Sequence, residues 1–584
     1  MSLNSVMATH IICIATSDGR LFTNLQRDFT GRELLQRLPP GEIKARDVPT
    51  YRSIEKAMRD PKYGKLWGDA LLSELQKLID NGTWEVVAVP FPRPSALNTV
   101  IALKCKQDGD GFAKELKVRL CANGAHQVPG INYEETYAPV VRAPTLRMQL
   151  CDAVSRKLYL AQFDVKSAFL QSEVDCDVYM NPIKYLHPGP EWGKRKYLLK
   201  LRKSLYGLKQ APRLWAGEFG KYLLSQGFRV SVADPCLYIR QTAIGYMTLT
   251  VWVDDVLVAY SSPSEWKAFA AETEERFPLS ALSQLEYFLG MTIRQSSDRS
   301  WVEVSQEAYL EESFEKFNIA NADSSRAMMP CAEGAGDQLR EPSPFAVQDE
   351  ETARKYPYRK LIGTINHAAQ WTRPDVCTVL SLLARHQNNF TVSHWRAAKR
   401  LLLYLKNTKR KCLRFSCQAP ADRELTGYVD ANWAGDKTSS RSRTGLIMMC
   451  ANGPVLWKSA LQPVVALSTC EAEYIAANAI AREAEWARMC HADLLNPSNI
   501  SAPVRVYEDN QGCIALAKNF MVTKRSKHIR IRYHYVRQQI REGIISLEYI
   551  ASSLNLADIF TKVVKLADFI RHRDTIVKDP VQGS

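Results

Sequence analysis

"TLTVWVDDVLVAY", residues 248–260, is almost wholly apolar, yet its centre holds two adjacent acids, Asp254 and Asp255. The apolar residues on either side suit two strands joined by a tight turn at the acids. One reading is a surface hairpin with a solvated Asp-Asp tip. A second acid in a similar setting opens another. "LYLAQFDVKSAFLQ", residues 158–171, puts Asp164 at the end of a further apolar, strand-like run. Carboxylates that converge at strand ends repel one another, and burying them unpaired costs several kcal/mol. A divalent cation removes that penalty. Hard oxygen ligands suit Mg²⁺, with Mn²⁺ as the alternative, and paired ions ~3.5–4 Å apart clamp an in-line phosphoryl transfer. One ion would activate a 3′-hydroxyl, and the other would neutralise a triphosphate and the leaving pyrophosphate.

The bulk properties agree with such chemistry. The chain has 584 residues, 46% of them hydrophobic and 24% charged, which reads as soluble and globular rather than disordered. Its formal net charge of +15 favours a polyanionic partner, nucleic acid before membrane. No apolar run reaches membrane-spanning length, and the N-terminus lacks the basic and apolar regions of a signal peptide. The 14 cysteines include no C-x-x-C pair, and the nearest approach to ligand spacing, Cys412 and Cys417, has no second half. That argues for reduced thiols in cytosol or nucleus and against zinc or disulfides.

Four consecutive segments are expected. Residues 1–55 are weakly patterned and read as a leader remnant. Residues 56–325 mix strands and helices. There "LWGDALLSELQKLIDNG" sets Trp67, Leu71, Leu75 and Leu78 on one helical face and stops at Asn81-Gly82, and "TWEVVAVP" follows as a strand. Residues 326–420 open on a Gly-, Pro- and acid-rich linker (330–351). They continue into the helix "SHWRAAKRLLLYLKN", which Ser393 can cap and in which Trp395, Ala398, Leu402 and Leu405 share a face. Residues 421–575 run β-hairpin-α-β-α. "LTGYVDANW" is a strand ending near Asp430, and "GLIMMCANGPVLWKS" a hairpin around Asn452-Gly453. "STCEAEYIAANAI" is a helix, "VRVYEDN" a strand and "NLADIFTK" a helix.

Several stretches, taken in order, resemble the reverse transcriptase of copia-type LTR retrotransposons. They are "LKVRLCANGAHQVPGINYEETYAPVVRAPTLRMQL", "FDVKSAFLQSEV", "LRKSLYGLKQAPRLW", "WVDD", "YPYRKLIGTINHAAQWTRPDVCTVLSLLARH", "HWRAAKRLLLYLKNT", "YVDANWAGD", "LSTCEAEYIAA", "YEDNQG", "SKHIRIRYHYVR" and "LADIFTK". Each alone is weak, but together, in family order, they are specific and span most of residues 55–565. The resemblance implies an α+β and α/β fold: a right-hand polymerase of fingers, palm and thumb, followed by an RNase H-like domain. It implies RNA- and DNA-directed DNA synthesis with hydrolysis of RNA in RNA/DNA hybrids, and two Mg²⁺ ions per active site. The implied partners are an RNA template, a DNA primer, the hybrid and dNTPs, without a membrane; a homodimer is compatible. The implied location is the cytoplasm, in a virus-like particle for an intact element, or the nucleus.

By that resemblance Asp164, Asp254 and Asp255 are the palm's metal ligands. Phe169, five residues after Asp164, matches an aromatic gate against ribose 2′-hydroxyls; its alternative is a core phenylalanine. Lys117 and Arg119 suit the incoming triphosphate, or else a solvated strand edge. Gly207, in "LYGLKQAP", would allow close backbone approach near the nucleotide. Asp430, Asp509 and Asp558 match the RNase H acids, with Glu471 or Glu473 as the fourth. Ser468-x-x-Glu471 forms a capping box that occupies Glu471, so Glu473 is favoured. Two basic stretches, with Lys203, Lys209 and Arg213 in the first and Lys524, Lys527 and His528 in the second, suit phosphate contacts, although most charge runs are solvated faces. His528 is either an aid to product release or a structural histidine.

The chain also departs from the family pattern. Trp252 stands where the family has Tyr, Arg530 where it has an acid, Asn123 where it has Lys, and Cys121 where it has Val. Strand alternation would put Trp252 on the same face as Asp254, flanking the metal site. Protease, integrase and Gag-like motifs are missing, so a processed fragment or a truncated copy is expected, with the N-terminal segment favouring truncation. The alternative function is a catalytically degenerate remnant acting at most as a nucleic-acid-binding protein.

Overall fold

The computed structural model describes residues 11–12, 41–107, 112–184, 186–187, 197–280, 283–334, 355–494, 502–518 and 530–581. Most of the segment read as a leader, and most of the 330–351 linker, lie outside them. The chain forms two compact units. One comprises Met1–Pro139, Val165–Gln226 and Glu275–Pro278, the other Val140–Asp164, Gly227–Glu274 and Leu279–Ser584. Neither is continuous in sequence.

In the first unit, helix Gly64–Asp80 buries Trp67, Leu71, Leu75 and Leu78, the stripe its periodicity demands, and ends at Asn81. The helix packs on strand Ala113–Ala122, which forms a hairpin with Thr99–Gln107. Strand Trp84–Ala88 joins a four-stranded sheet beside Tyr197–Leu201. Val48 and Ile54 are buried in the same core, so chain ahead of residue 56 helps to build it.

Among the described residues, the second unit holds three sheets. A six-stranded antiparallel sheet has the order Arg229–Val230, Leu237–Gln241, Tyr246–Trp252, Asp255–Tyr260, Tyr159–Asp164, Ser283–Gln284. A four-stranded sheet pairs Trp301–Ser305 with Leu413–Ser416. A five-stranded sheet has the order Gly453–Leu461, Arg443–Cys450, Thr426–Asn432, Val504–Glu508, Ile545–Tyr549, its last two pairings parallel. One hydrophobic cluster runs through the unit. Helix Ala143–Arg156 sends the buried Arg147 into that cluster. Its guanidinium donates to the carbonyls of Val455 (2.7 Å), Gln370 (3.0 Å) and Trp371 (3.2 Å) and lies over the Trp457 ring.

Three local expectations need correction. Helix Val392–Asn407 is capped by Thr391, not Ser393: Thr391 is extended, its hydroxyl accepts from the His394 amide, and His394 Nδ1 accepts from the Thr391 amide. Trp395, Ala398, Leu402 and Leu405 are buried along this helix. The hairpin Arg443–Cys450/Gly453–Leu461 turns at Ala451-Asn452, both at positive φ, one residue earlier than expected, and Gly453 opens the return strand against Phe415. "NLADIFTK" forms a 3-10 turn, Leu556–Phe560, rather than an α-helix. Asn555 caps it and holds its place by donating to the Val429 carbonyl at 2.9 Å.

Candidate active sites

Asp164, Asp254 and Asp255 meet at one end of the six-stranded sheet. Asp164 lies directly opposite Asp255, and Asp255 directly opposite Trp252. Directly opposed residues share a face, so Trp252, Asp255 and Asp164 form a row across three strands. The expected pairing of Trp252 with Asp254 is thereby corrected. The strand stops at Trp252, Val253 and Asp254 make the turn, and Asp255 stands beside the ring. The half-buried ring meets Trp371 edge-on, with centroids 5.7 Å apart. Val253 takes φ +58°, the sign a two-residue hairpin requires at its first central position and one that suits glycine. For a β-branched residue that conformation costs ~1–3 kcal/mol. The strand end is clamped: Asp164 N–H donates to Ser280 Oγ (2.9 Å) and Ser280 N–H donates to the Asp164 carbonyl (2.8 Å). Burial first, then Asp254 and Asp164, push the Asp255 carboxyl up to about 7. Like charges gathered on hard oxygen donors fit a divalent cation.

In the other unit, Arg119, Phe169 and Gly207 converge on Tyr206, a residue the sequence reading passed over. The Arg119 guanidinium lies 5.0 Å from the Tyr206 ring, and Phe169 meets the same ring edge-on at 5.0 Å. Arg119 Nε is buried with no hydrogen-bond partner. Gly207 has φ +90°, and a Cβ there would sit 2.1 Å from the Ala122 carbonyl oxygen; a Cβ on Gly124 would sit 2.0 Å from that of Gly207. Two glycines thus permit a backbone crossing closed by Ala122 N–H to the Tyr206 carbonyl, 2.8 Å. Lys117 is half-buried, and burial, then Lys106 and Arg119, hold its ammonium below the usual lysine range.

The first basic stretch is largely engaged within the protein. Lys209 donates to the Gln127 carbonyl and Tyr133 hydroxyl, each at 3.3 Å. Arg213 pairs with Asp175 and donates to the Glu135 carbonyl at 3.0 Å. Lys203 bridges its backbone to Glu173. Lys524, Lys527 and His528 lie outside the described residues.

The five-stranded sheet assembles the remaining acids. Asp430, on strand Thr426–Asn432, groups with Asp509 and Asp558, each offering an oxygen within 4.8 Å of the others. Thr561 Oγ1 donates to Asp430, and Lys562 Nζ lies 2.8 Å from Asp558 Oδ1. Glu473 groups with Asp509 and with Glu508, which the sequence reading did not single out. Its signal was the alternation of the strand Val504–Glu508: Glu508 shares parity with the buried Val504 and Val506. Glu471 is spent on the helix start. It accepts from the Leu467 amide at 2.8 Å, one residue before the cap residue Ser468, while its own amide donates to Ser468 Oγ. Burial and the neighbouring acids, Glu508 first, push Glu473 up to about 11; burial, opposed by Lys562, leaves Asp430 at about 6. The buried Oε2 atoms of Glu473 and Glu508 have no hydrogen-bond partner, which fits a bound cation.

The sequence pattern described as reverse transcriptase (RNA-dependent DNA polymerase) matches residues 81–331. The chain is 34% identical over 546 residues to the retrovirus-related Pol polyprotein from transposon TNT 1-94 of Nicotiana tabacum, covering 92% of this chain and 40% of that protein. It is 31% identical over 523 residues to the corresponding polyprotein from transposon RE1 of Arabidopsis thaliana, covering 89% of this chain and 34% of that one. The chain thus spans well under half the length of these relatives. A solved structure of the foamy viral protease-reverse transcriptase dRH in complex with ds DNA aligns over 82% of this chain and 69% of that chain, at 12% identity and TM-score 0.43. With a reverse transcriptase match at residues 81–331 and a similarity that runs through nearly all of its length, the chain is a relative of the copia-type transposon Pol polyproteins.

Proposed function

We propose that the chain carries two separate phosphoryl-transfer centres, one for RNA- and DNA-directed DNA synthesis and one for hydrolysis of RNA in hybrids. The observation that carries the first is the register of Asp164 opposite Asp255 beside the Val253-Asp254 turn. Mg²⁺ bound by these acids would supply the Lewis acid that lowers the charge on triphosphate and 3′-hydroxyl. Asp164, Asp254 and Asp255 hold it, and the strained turn fixes their spacing. Lys117 and Arg119 take the triphosphate, Phe169 screens the sugar, Gly207 admits the backbone, and Trp252 flanks the acids. Lys203, Lys209 and Arg213, with Lys524, Lys527 and His528, are assigned to the nucleic-acid backbone. The second centre uses Asp430, Glu473, Asp509 and Asp558, and their gathering into two groups that share Asp509 at the five-stranded sheet supports it.

None of the described helices is long and apolar enough to cross a membrane. We assign the activity to a cytoplasmic particle or the nucleus, with a homodimer as the compatible assembly.

Primer extension on an RNA template with Mg²⁺, beside release of labelled RNA from a hybrid, tests both centres. Asp254→Asn is expected to slow extension on the order of 100-fold or more and to spare hydrolysis. Asp509→Asn is expected to do the reverse. Equal loss of both activities in either variant refutes two separate centres, and a wild-type chain inactive in both assays leaves only the degenerate remnant.

A further inference from the structure

The acids of the five-stranded sheet fall into two groups that share one member. Asp430, Asp509 and Asp558 form one, and Glu473, Glu508 and Asp509 the other. Strand parity explains the division. Gly427 and Val506 are register partners, and a Cβ on Gly427 would meet Ile480 of helix Thr469–Leu494 at 2.8 Å and Val506 at 3.3 Å, so this face of the strand is turned to the helix. Glu508, two residues beyond Val506, faces the same helix, which carries Glu473 near its start. Asp430 has the opposite parity and meets Asp558 and Thr561. Asp509, just past the strand end, reaches both groups.

The two groups are not equally satisfied. Asp430 accepts from Thr561, and Asp558 Oδ1, although it too is buried without a hydrogen bond, is neutralised by the Lys562 ammonium 2.8 Å away. Glu508 is 0% exposed and Glu473 6% exposed. Glu508 Oε1 accepts from the Asn510 amide at 3.0 Å, but its Oε2 and that of Glu473 are buried without partners. Such oxygens carry the full cost of desolvation, and facing carboxylates add to it. Their donor chemistry, hard oxygen from three converging carboxylates, is that of a Mg²⁺-class ligand set.

We propose that Glu508 is itself a metal-binding carboxylate. With Glu473 and Asp509 it holds one hard divalent cation, and Asp509 joins that ion to a second one held with Asp430 and Asp558. The proposal rests on the reading of these acids as a metal-dependent ribonuclease centre, and it adds a residue outside the four assigned there.

Mn²⁺ binding to the full chain, followed by electron paramagnetic resonance of the free ion, tests it. Ions bound at the palm acids contribute equally to every protein compared. Glu508→Gln preserves the volume and removes the charge, and Glu508→Leu is a second, apolar replacement should the first not fold. Either is expected to lose one bound Mn²⁺, or to weaken one by on the order of 10-fold or more, the size that even an outer-shell partner carries. Asp558→Asn is expected to lose a different ion, so that the double variant loses both. A folded Glu508 variant that binds Mn²⁺ as the wild type does overturns the proposal. If Asp558→Asn and Glu473→Gln are also without effect, it is the ribonuclease-centre reading that fails. Melting in chelator gives a second readout: Glu508→Gln should melt higher than wild type there, and should gain less from added Mg²⁺. A variant that melts lower in chelator and gains as much as wild type from Mg²⁺ assigns Glu508 a structural role instead.

Discussion

At the scale of single residues, the acids were legible because a charge inside an apolar run has few physical excuses. Asp164, Asp254 and Asp255 needed only that contrast. Glu508 escaped because its neighbour Asp509 already explained the motif, and only burial of alternate residues along its strand separates the two. Trp252 was placed beside the acids, but through the wrong one, because alternation fails where a strand turns. Its ring stands in the acid row and rests on Trp371. Trp252→Tyr is expected to speed dNTP incorporation by freeing space at that row, and to cost ~1 kcal/mol from the weakened aromatic contact. Steady-state incorporation and urea melts at equal folded concentration decide it; a Tyr variant no faster than the parent shows that the larger ring is accommodated. Gly207 offers a harsher test. Its φ of +90° and the Ala122 oxygen at 2.1 Å leave no room for a methyl. Gly207→Ala should destabilise by on the order of 2 kcal/mol or more, read as a shift in denaturation midpoint.

Elements were legible in kind and less so at their ends. The helix over residues 393–407 was visible from its apolar stripe, since burial of one face sets a period that few other patterns share. Its cap was not, because Thr391 and Ser393 both carry a hydroxyl and only the backbone dihedral decides between them. Thr391 is extended and Ser393 is already inside the helix. Thr391→Ala is therefore expected to cost ~1 kcal/mol and Ser393→Ala a few tenths at most, compared by thermal melts of the two variants. The turn at Ala451-Asn452 slipped by one residue for a similar reason. Asn-Gly is the stronger turn signal, but Gly453 is required for another task, since a Cβ there would meet Phe415 at 2.5 Å. The short 3-10 turn at Leu556–Phe560 read as a helix because a stretch as short as NLADIFTK cannot distinguish the two periods.

For the whole molecule, charge favoured a polyanionic partner, nucleic acid before membrane, whereas the division of the chain into two units, neither continuous in sequence, could not be read from consecutive segments. Which strands pair across a hundred residues or more is set by the sheet, not by local pattern. The gathered acids also give the molecule a pH signature. In chelator, Asp255 at about 7 and Asp430 at about 6 hold protons that the unfolded chain releases near pH ~4. Between those values the native state binds more protons, so their contribution to stability falls as pH rises. His394, driven to about 4 by burial and His386, acts in the opposite sense over ~4–6.5, so the comparison is made against a variant. Relative to Asp255→Asn, the wild type should lose denaturation midpoint between pH 5 and 7.5 in chelator, and added Mg²⁺ should shrink that difference. The buried guanidinium of Arg147 carries a consequence for how the chain is made. Its acceptor at Val455 lies 308 residues downstream. At ~5–20 residues per second, a ribosome needs on the order of 15–60 s to deliver it. Until then helix Ala143–Arg156 lacks the Val455 carbonyl, and the Trp457 ring that follows it, and its buried charge has at most the carbonyls of Gln370 and Trp371. The last third of the chain is thus what allows the second unit to close, and a nascent chain stopped before residue 455 should remain open to chaperones and proteases.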